Sequence, residues 1–231
     1  MSILKSVVEL VAGDALIQAA EGAKNVVEKA SDKAEQKSQK RIAAFLSKNP
    51  THAHLFLHQQ WYTWKESYQI FDAQQQVKYI VKGELLSQKH HLHIYDASGR
   101  QRLGTIKEKL ISLRSPLSME PHPMDFVIEV GGTKLGKVKS KWAFGKSKFE
   151  VTFNDWQIEG DFWGKGFKVI SGNDHVMEVS REYAYKGDMY FMDITDPKNE
   201  FMCLLVMLAL DAASMSKKDE TKRTARKKRL L

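Results

Sequence analysis

The stretch DPKNEFMCLLVMLALDAASMSKK, residues 196–218, decides the architecture. Asp196 is a good helix N-cap, and Pro197 suits the first helical position. From Phe201 to Leu210 every residue is apolar, so a helix here has no face to offer to water. At about 1.5 Å per residue this apolar run spans about 15 Å, half the ~30 Å hydrocarbon thickness of a bilayer. A membrane anchor of that length would be badly mismatched, which leaves burial inside the protein. If its large side chains each contribute roughly 2 kcal/mol, the helix supplies on the order of 10 kcal/mol, comparable with the whole stability of a domain.

What wraps the helix lies upstream. From about residue 53 the apolar period changes from 3.6 to 2, the mark of half-buried strands. Four hairpin patterns stand out: YQIFDAQQQVKYIV (68–81), LHIYDASGRQRLGTI (92–106), FVIEVGGTKLGKV (126–138) and FKVISGNDHVMEV (167–179). Each joins two alternating strands through turn residues such as Asp-Ala, Ser-Gly, Gly-Gly or Gly-Asn-Asp. Between the second and third lies RSPLSMEPHPMD, with Pro116, Pro121 and Pro123, residues that cannot donate to a ladder and fit a crossing between two halves. Further strands are expected around Leu55–Trp64, Phe149–Phe153, Trp156–Phe162 and Met189–Ile194, about a dozen in all. So many strands need closure, and a barrel of about twelve is wide enough to hold a helix. The expected fold is mainly β: a closed antiparallel barrel over 52–215, with its central helix at 197–214.

Two segments flank the barrel. Residues 1–48 place Leu4, Val8, Val11, Ala15, Ala19, Ala23, Val27, Ala30 and Ala34 at helical spacing, an amphipathic extension whose stripe is mostly Ala and too thin to form a core alone. It suits packing against a partner, a second copy or a membrane surface. Residues 216–231 form a basic tail expected to be disordered. Of the net charge of +8, residues 217–231 hold 8 basic and 2 acidic groups (+6), residues 1–48 hold 8 and 6 (+2), and the stretch between holds 20 of each. The barrel is thus neutral overall and not built to wrap nucleic acid.

The chain has 231 residues, 42% of them hydrophobic and 10% aromatic, which excludes wholesale disorder. One cysteine, Cys203, forms no internal disulfide. Glu9 and Asp14 interrupt the apolar start, which argues against a cleaved secretory signal, and no run reaches the length of a membrane-spanning helix. A cytoplasmic protein is expected, with peripheral attachment at the inner membrane face.

The residues also carry a resemblance. KGELLSQKHHLHIYDASGRQRLGTIKEKLISL (82–113), WQIEGDFWGKGFKVISGNDHVMEVSREY (156–183) and the Asp-Pro-led helix ending LALDAA (208–213) resemble the LURP-one-related family over about residues 55–213. The most specific piece is Glu159-Gly160-Asp161-Phe162-Trp163. The resemblance implies the Tubby C-terminal-like fold, a twelve-stranded barrel threaded by a hydrophobic helix and shared with phospholipid scramblases. It implies function only loosely: tubby proteins bind phosphoinositides, scramblases act on membranes, most LURP-one-related members have no settled activity, and no site transfers residue by residue.

The best binding candidate is the hairpin LGKVKSKWAFGKSKFEV (135–151). Lys137, Lys139 and Lys141 alternate on one strand face, Lys146 and Lys148 follow the turn, and Glu150 is the local acid expected to oppose them. Such a patch attracts anionic lipid headgroups, each lysine contributing about 1 kcal/mol near a charged surface. Lys222, Arg223, Arg226, Lys227, Lys228 and Arg229 of the tail add to that attraction. The bland alternative for the patch is a solvated barrel wall whose lysines block edge pairing.

Other motifs fall short. Gly145-Lys146-Ser147 has the end of a phosphate loop, but Ser140 stands where the upstream glycine belongs and the context is strand-turn-strand. His52, His54 and His58, with His90, His91 and His93, have His-x-His spacing without an accompanying ligand set, so no metal and no cofactor are expected. Asp211 is expected to bond neighbouring groups, and Cys203 to pack as an inert thiol. Nothing marks an enzyme. The leading expectation is a non-enzymatic barrel peripheral to anionic membrane lipid. The alternative is a protein-interaction scaffold or oligomer assembled through residues 1–48. Nucleic-acid binding by the tail is disfavoured, because the tail has no aromatics for stacking.

Overall fold

Alternating side chains become twelve strands in the computed structural model, which describes residues 40, 42–59, 67–84, 91–109, 125–143, 146–161, 166–182 and 189–213. The chain divides into two compact units, residues 1–50 and 51–231. The described part of the first is a helix at 42–48 (α1) with its flanking residues. Residues 1–39 and 41 of the expected amphipathic extension, residues 214–215 at the end of the expected barrel unit, and the tail at 216–231 lie outside the described residues.

The second unit contains Ala53–Gln59 (β1), Ser67–Phe71 (β2), Val77–Gly83 (β3), His91–Asp96 (β4), Arg102–Lys109 (β5), Asp125–Val130 (β6), Thr133–Ala143 (β7), Lys146–Val151 (β8), Trp156–Asp161 (β9), Gly166–Ser171 (β10), Asp174–Glu182 (β11) and Met189–Ile194 (β12). Each strand pairs antiparallel with its neighbours in sequence, and β1 also pairs with β12, which closes the barrel. Closure removes the edges that a twelve-stranded sheet would otherwise expose. All four expected hairpins are present, as β2–β3, β4–β5, β6–β7 and β10–β11. In the β6–β7 turn, Gly131 and Gly132 have φ of 56° and 83°, the positive values that a two-residue hairpin turn requires at both centres.

After β12 a short 3-10 turn, Pro197–Asn199, leads into a helix described at 200–213 (α2). The Asp196 carboxylate accepts from the Lys198 amide at 3.0 Å, so the cap read from sequence is made. Cys203 through Ala213 are all buried, every one of them at 3% exposure or less. A helix buried on all sides and packed in one cluster with Leu55, Ile70, Val81, Ile94, Ile106, Ile128, Val138, Val169 and Ile194 is the core of the barrel. One strand position shows how tight the fit is. A Cβ at Gly104 would lie 3.2 Å from the Glu129 carbonyl oxygen, 3.3 Å from Phe201 Cζ and 3.4 Å from Leu205 Cδ2. β5 is thinned where the plug leans on it.

The strand directions give the barrel two distinct ends. The turns at 72–76, 97–101, 131–132, 152–155 and 172–173, with the segment 195–199, all fall at one of them, the turn end. α2 starts there, because Glu200 meets Lys78 and Tyr79 near the start of β3. It reaches the opposite end, because the Tyr190 hydroxyl near the start of β12 donates to the Asp211 carboxylate. Fourteen helical residues cover about 20 Å, about the length of the six-residue strands.

Truncating the plug should be costly. Leu205→Ala is expected to lower unfolding free energy by about 2–5 kcal/mol in urea titrations, the range for a large buried aliphatic side chain. Cys203 is buried and its thiol is pushed up to about 12, chiefly by burial and secondarily by Glu200. It should therefore react with thiol reagents at neutral pH only after denaturation.

Candidate functional site

The hairpin β7–β8 is built as its spacing predicts, with one addition. Val138 is fully buried, which sets the parity of β7 and turns Lys137 and Lys139 to the outside. Besides Glu150, the patch meets a second acid: the Lys137 ammonium lies 3.1 Å from Asp125 Oδ2 on β6, and the Lys137 side chain is three-quarters buried. The sequence could not reveal that acid, since Asp125 stands twelve residues upstream and reaches the patch only through strand pairing. Lys139 sits in register with Asp125 on one side and Glu150 on the other. Beyond it the register places Lys141 directly opposite Lys148, and Ala143 opposite Lys146. The base of the hairpin is thus charge-balanced, and its tip, at the end of the barrel opposite the tight turns, is basic. The side chains of Lys141, Lys146 and Lys148 lie outside the described residues, as do Lys222, Arg223, Arg226, Lys227, Lys228 and Arg229 of the tail. Lys146 and Ser147 open a strand, not a helix, so Gly145-Lys146-Ser147 has no helix N-terminus behind it.

The balanced base belongs to a longer ladder on the outer wall. Lys107 Nζ on β5 lies 2.8 Å from Glu129 Oε2 on β6. At the end of β3 the exposed Glu84 carboxylate takes both histidines of β4. His91 Nδ1 donates to Oε2 and His93 Nε2 to Oε1, each at 2.9 Å, and His93 Nδ1 is then free to accept from the Thr105 hydroxyl at 3.4 Å. These bonds, the one from His93 first, hold the Glu84 carboxyl below its usual range. The His-x-His spacing of β4 therefore serves a carboxylate clamp. Among the described residues no group of three or more His, Cys, Asp or Glu is arranged to hold a metal ion. The side chains of His58 and His90 lie outside the described residues.

A second histidine group joins the first and last strands. His52 Nδ1 donates to Asp193 Oδ1 at 2.6 Å, and His54 Nε2 lies 3.7 Å from the same oxygen. His54 and Asp193 are opposite in register, and both side chains are less than a twentieth exposed. Beside them Phe56 and Phe191 meet edge to face at 5.6 Å, so the seam that closes the barrel is buried outside as well as inside.

Two carboxylates hold the plug. Glu200 accepts from Lys78 Nζ at 2.8 Å and from the Tyr79 hydroxyl at 3.0 Å, and the Tyr79 phenol is pushed upward, first by burial and then by that carboxylate. Asp211 accepts from Tyr190, over whose ring Arg181 stands at 5.1 Å. The expectation that Asp211 bonds a neighbouring strand is met. The Glu200 clamp was not legible, because its partners lie more than 120 residues upstream.

Among the described residues no helix is long and apolar enough to cross a membrane.

His54 sets a pH dependence. Burial, the dominant cause, lowers its pKa below 6.5, outweighing Asp193, which raises it. As pH falls through 6.5 the unfolded histidine takes up a proton and the folded one does not. Stability should therefore be full above that value and decline toward the folded one. Urea midpoints at about pH 7.5 and 5.5 test this, with a flatter profile expected for His54→Gln.

Comparisons with known proteins bear on the family. The Bacillus subtilis (strain 168) protein YxjI, described as uncharacterized, is 29% identical over 167 residues, 72% of this chain and 97% of YxjI. A solved Arabidopsis thaliana protein aligns at a TM-score of 0.45 with 14% identity, covering 71% of this chain and 93% of that one. Residues 53–211, from the start of β1 to Asp211 on the plug, match the LURP-one-related family. The chain belongs to the LURP-one-related family.

Proposed function

We propose that this protein is a non-enzymatic barrel that associates peripherally with anionic membrane lipid through the tip of the β7–β8 hairpin and the basic tail. One observation carries the reading: the register that balances Lys137 and Lys139 against Asp125 and Glu150 leaves Lys141 opposite Lys148, with Lys146 next along, beyond the last acid. Like charges directly across a strand pair cost stability, and an anionic surface at the tip offsets that repulsion. Three tip lysines at about 1 kcal/mol each give weak binding alone. The tail adds eight basic and two acidic residues, enough for reversible attachment when both act together.

Flotation of the full-length chain on vesicles tests this. It should rise with vesicles containing phosphatidylserine and stay down with pure phosphatidylcholine, and the bound fraction should fall as salt is raised. Equal partition into both, or none into either, rejects lipid charge as the attraction.

A further inference from the structure

The wall of the barrel is not evenly paired. β8 follows β7 along its whole length, from Val151 opposite Val138 to Lys146 opposite Ala143, and β9 follows β10 along its own, from Trp156 opposite Ser171 to Asp161 opposite Gly166. Between β8 and β9 a single register pair is made, Glu150 with Gln157. The two strands meet beside the 152–155 turn and then part, each held by its other neighbour. Among the described residues nothing pairs with the second edge of β9 from Ile158 to Asp161.

Burial records the same gap. Ile158 lies opposite Val169 and points inward with it, yet Val169 is fully buried and Ile158 only partly. Gly160, at the next inward position, is exposed. A Cβ there would lie 3.1 Å from Phe167 Cα and 3.2 Å from the Gly166 carbonyl oxygen, so β9 leans onto β10 and away from β8. The φ of Gly160 is 109°, a value that side-chain-bearing residues rarely adopt, and it holds the strand in that bend.

An open strand edge is met by another extended backbone, which supplies the missing carbonyls and amides about 4.8 Å away. The surrounding charge selects which backbone. Outward positions on β9 are Gln157, Glu159 and Asp161, and those on β11 include Glu178 and Glu182. Lys168 on β10 stands in register between Glu159 and Glu178, a single lysine among these carboxylates, and Arg181 is buried on the inward parity of Val179. Lys146 and Lys148 stay with β8 in its register with β7.

We infer that the edge of β9 over Ile158–Asp161 is a peptide-binding site. An extended segment of a partner protein adds there as an extra strand, its apolar residues beside Ile158 and its alternate, basic residues beside Glu159. At ~3.3 Å per residue the edge is about 13 Å long, so few main-chain bonds form and binding is weak and reversible. The site lies in the barrel wall and makes no use of lipid.

The probe is a short fluorescent peptide of alternating valine and lysine, titrated into the full-length chain and followed by anisotropy. Saturable binding is expected, weakened about fivefold or more by Glu159→Lys, and likewise when the lysines of the peptide are replaced by glutamates. Methylating the amide nitrogens along one edge of the peptide should abolish binding, and along the other edge should spare it, because one edge alone meets β9. In the free chain, the amides of 158–161 that point to the gap should exchange hydrogen rapidly, and the peptide should slow them. Absence of saturable binding, binding indifferent to Glu159→Lys and to which edge is methylated, or slow exchange throughout 158–161 in the free chain overturns the proposal. A full-length dimer that Glu159→Lys dissolves in sedimentation would assign the edge to a second copy and overturn it as well.

Discussion

A helix that is apolar on every side has to be enclosed, and that constraint organises the whole second unit. Ten consecutive apolar residues cannot sit on a surface, and too few of them are present to match a bilayer. Twelve antiparallel strands close round the helix, each contributing its inward alternate residues to one cluster. Neither part is stable without the other: strands alone would enclose a void, and the helix alone would expose its entire surface.

Enclosure creates a second requirement, that the polar groups of the helix find partners within the wall. Glu200 and Asp211 are eleven residues apart, three turns of helix, and so lie on nearly the same face. One meets Lys78 and Tyr79 on β3, and the other meets Tyr190 on β12. Each carboxylate costs free energy to bury and is stabilised by donors that the strands supply. The pair sets the depth of the plug, since a slide of one turn would bury both charges away from their donors.

The same enclosure has consequences on the outside. Because inward positions are taken by apolar residues, charge is confined to outward positions, where strand register decides which acid meets which base. Lys107 with Glu129, Lys137 with Asp125, and Glu84 with His91 and His93 form a ladder with little net charge. The hairpin tip is where that balancing stops.

Much of this was legible in the residues themselves. Period-2 alternation from about residue 53, the Gly-Gly and Gly-Asn turns, the Asp-Pro start of the plug and its unbroken apolar run depend on local sequence, and local sequence suffices to read strands, hairpins and a helix that must be buried. The five hairpin lysines were visible as well. Their pairing was not: Asp125 reaches Lys137, His54 reaches Asp193, and Glu200 reaches Tyr79 only once strands distant in the chain lie side by side. Tertiary structure alone decided which cations are spent on internal partners, and that the hairpin tip and the exit of the plug helix share one end of the barrel. The reason is physical. Strand register and the direction of a buried helix are set by long-range packing, and spacing along the chain carries no record of them.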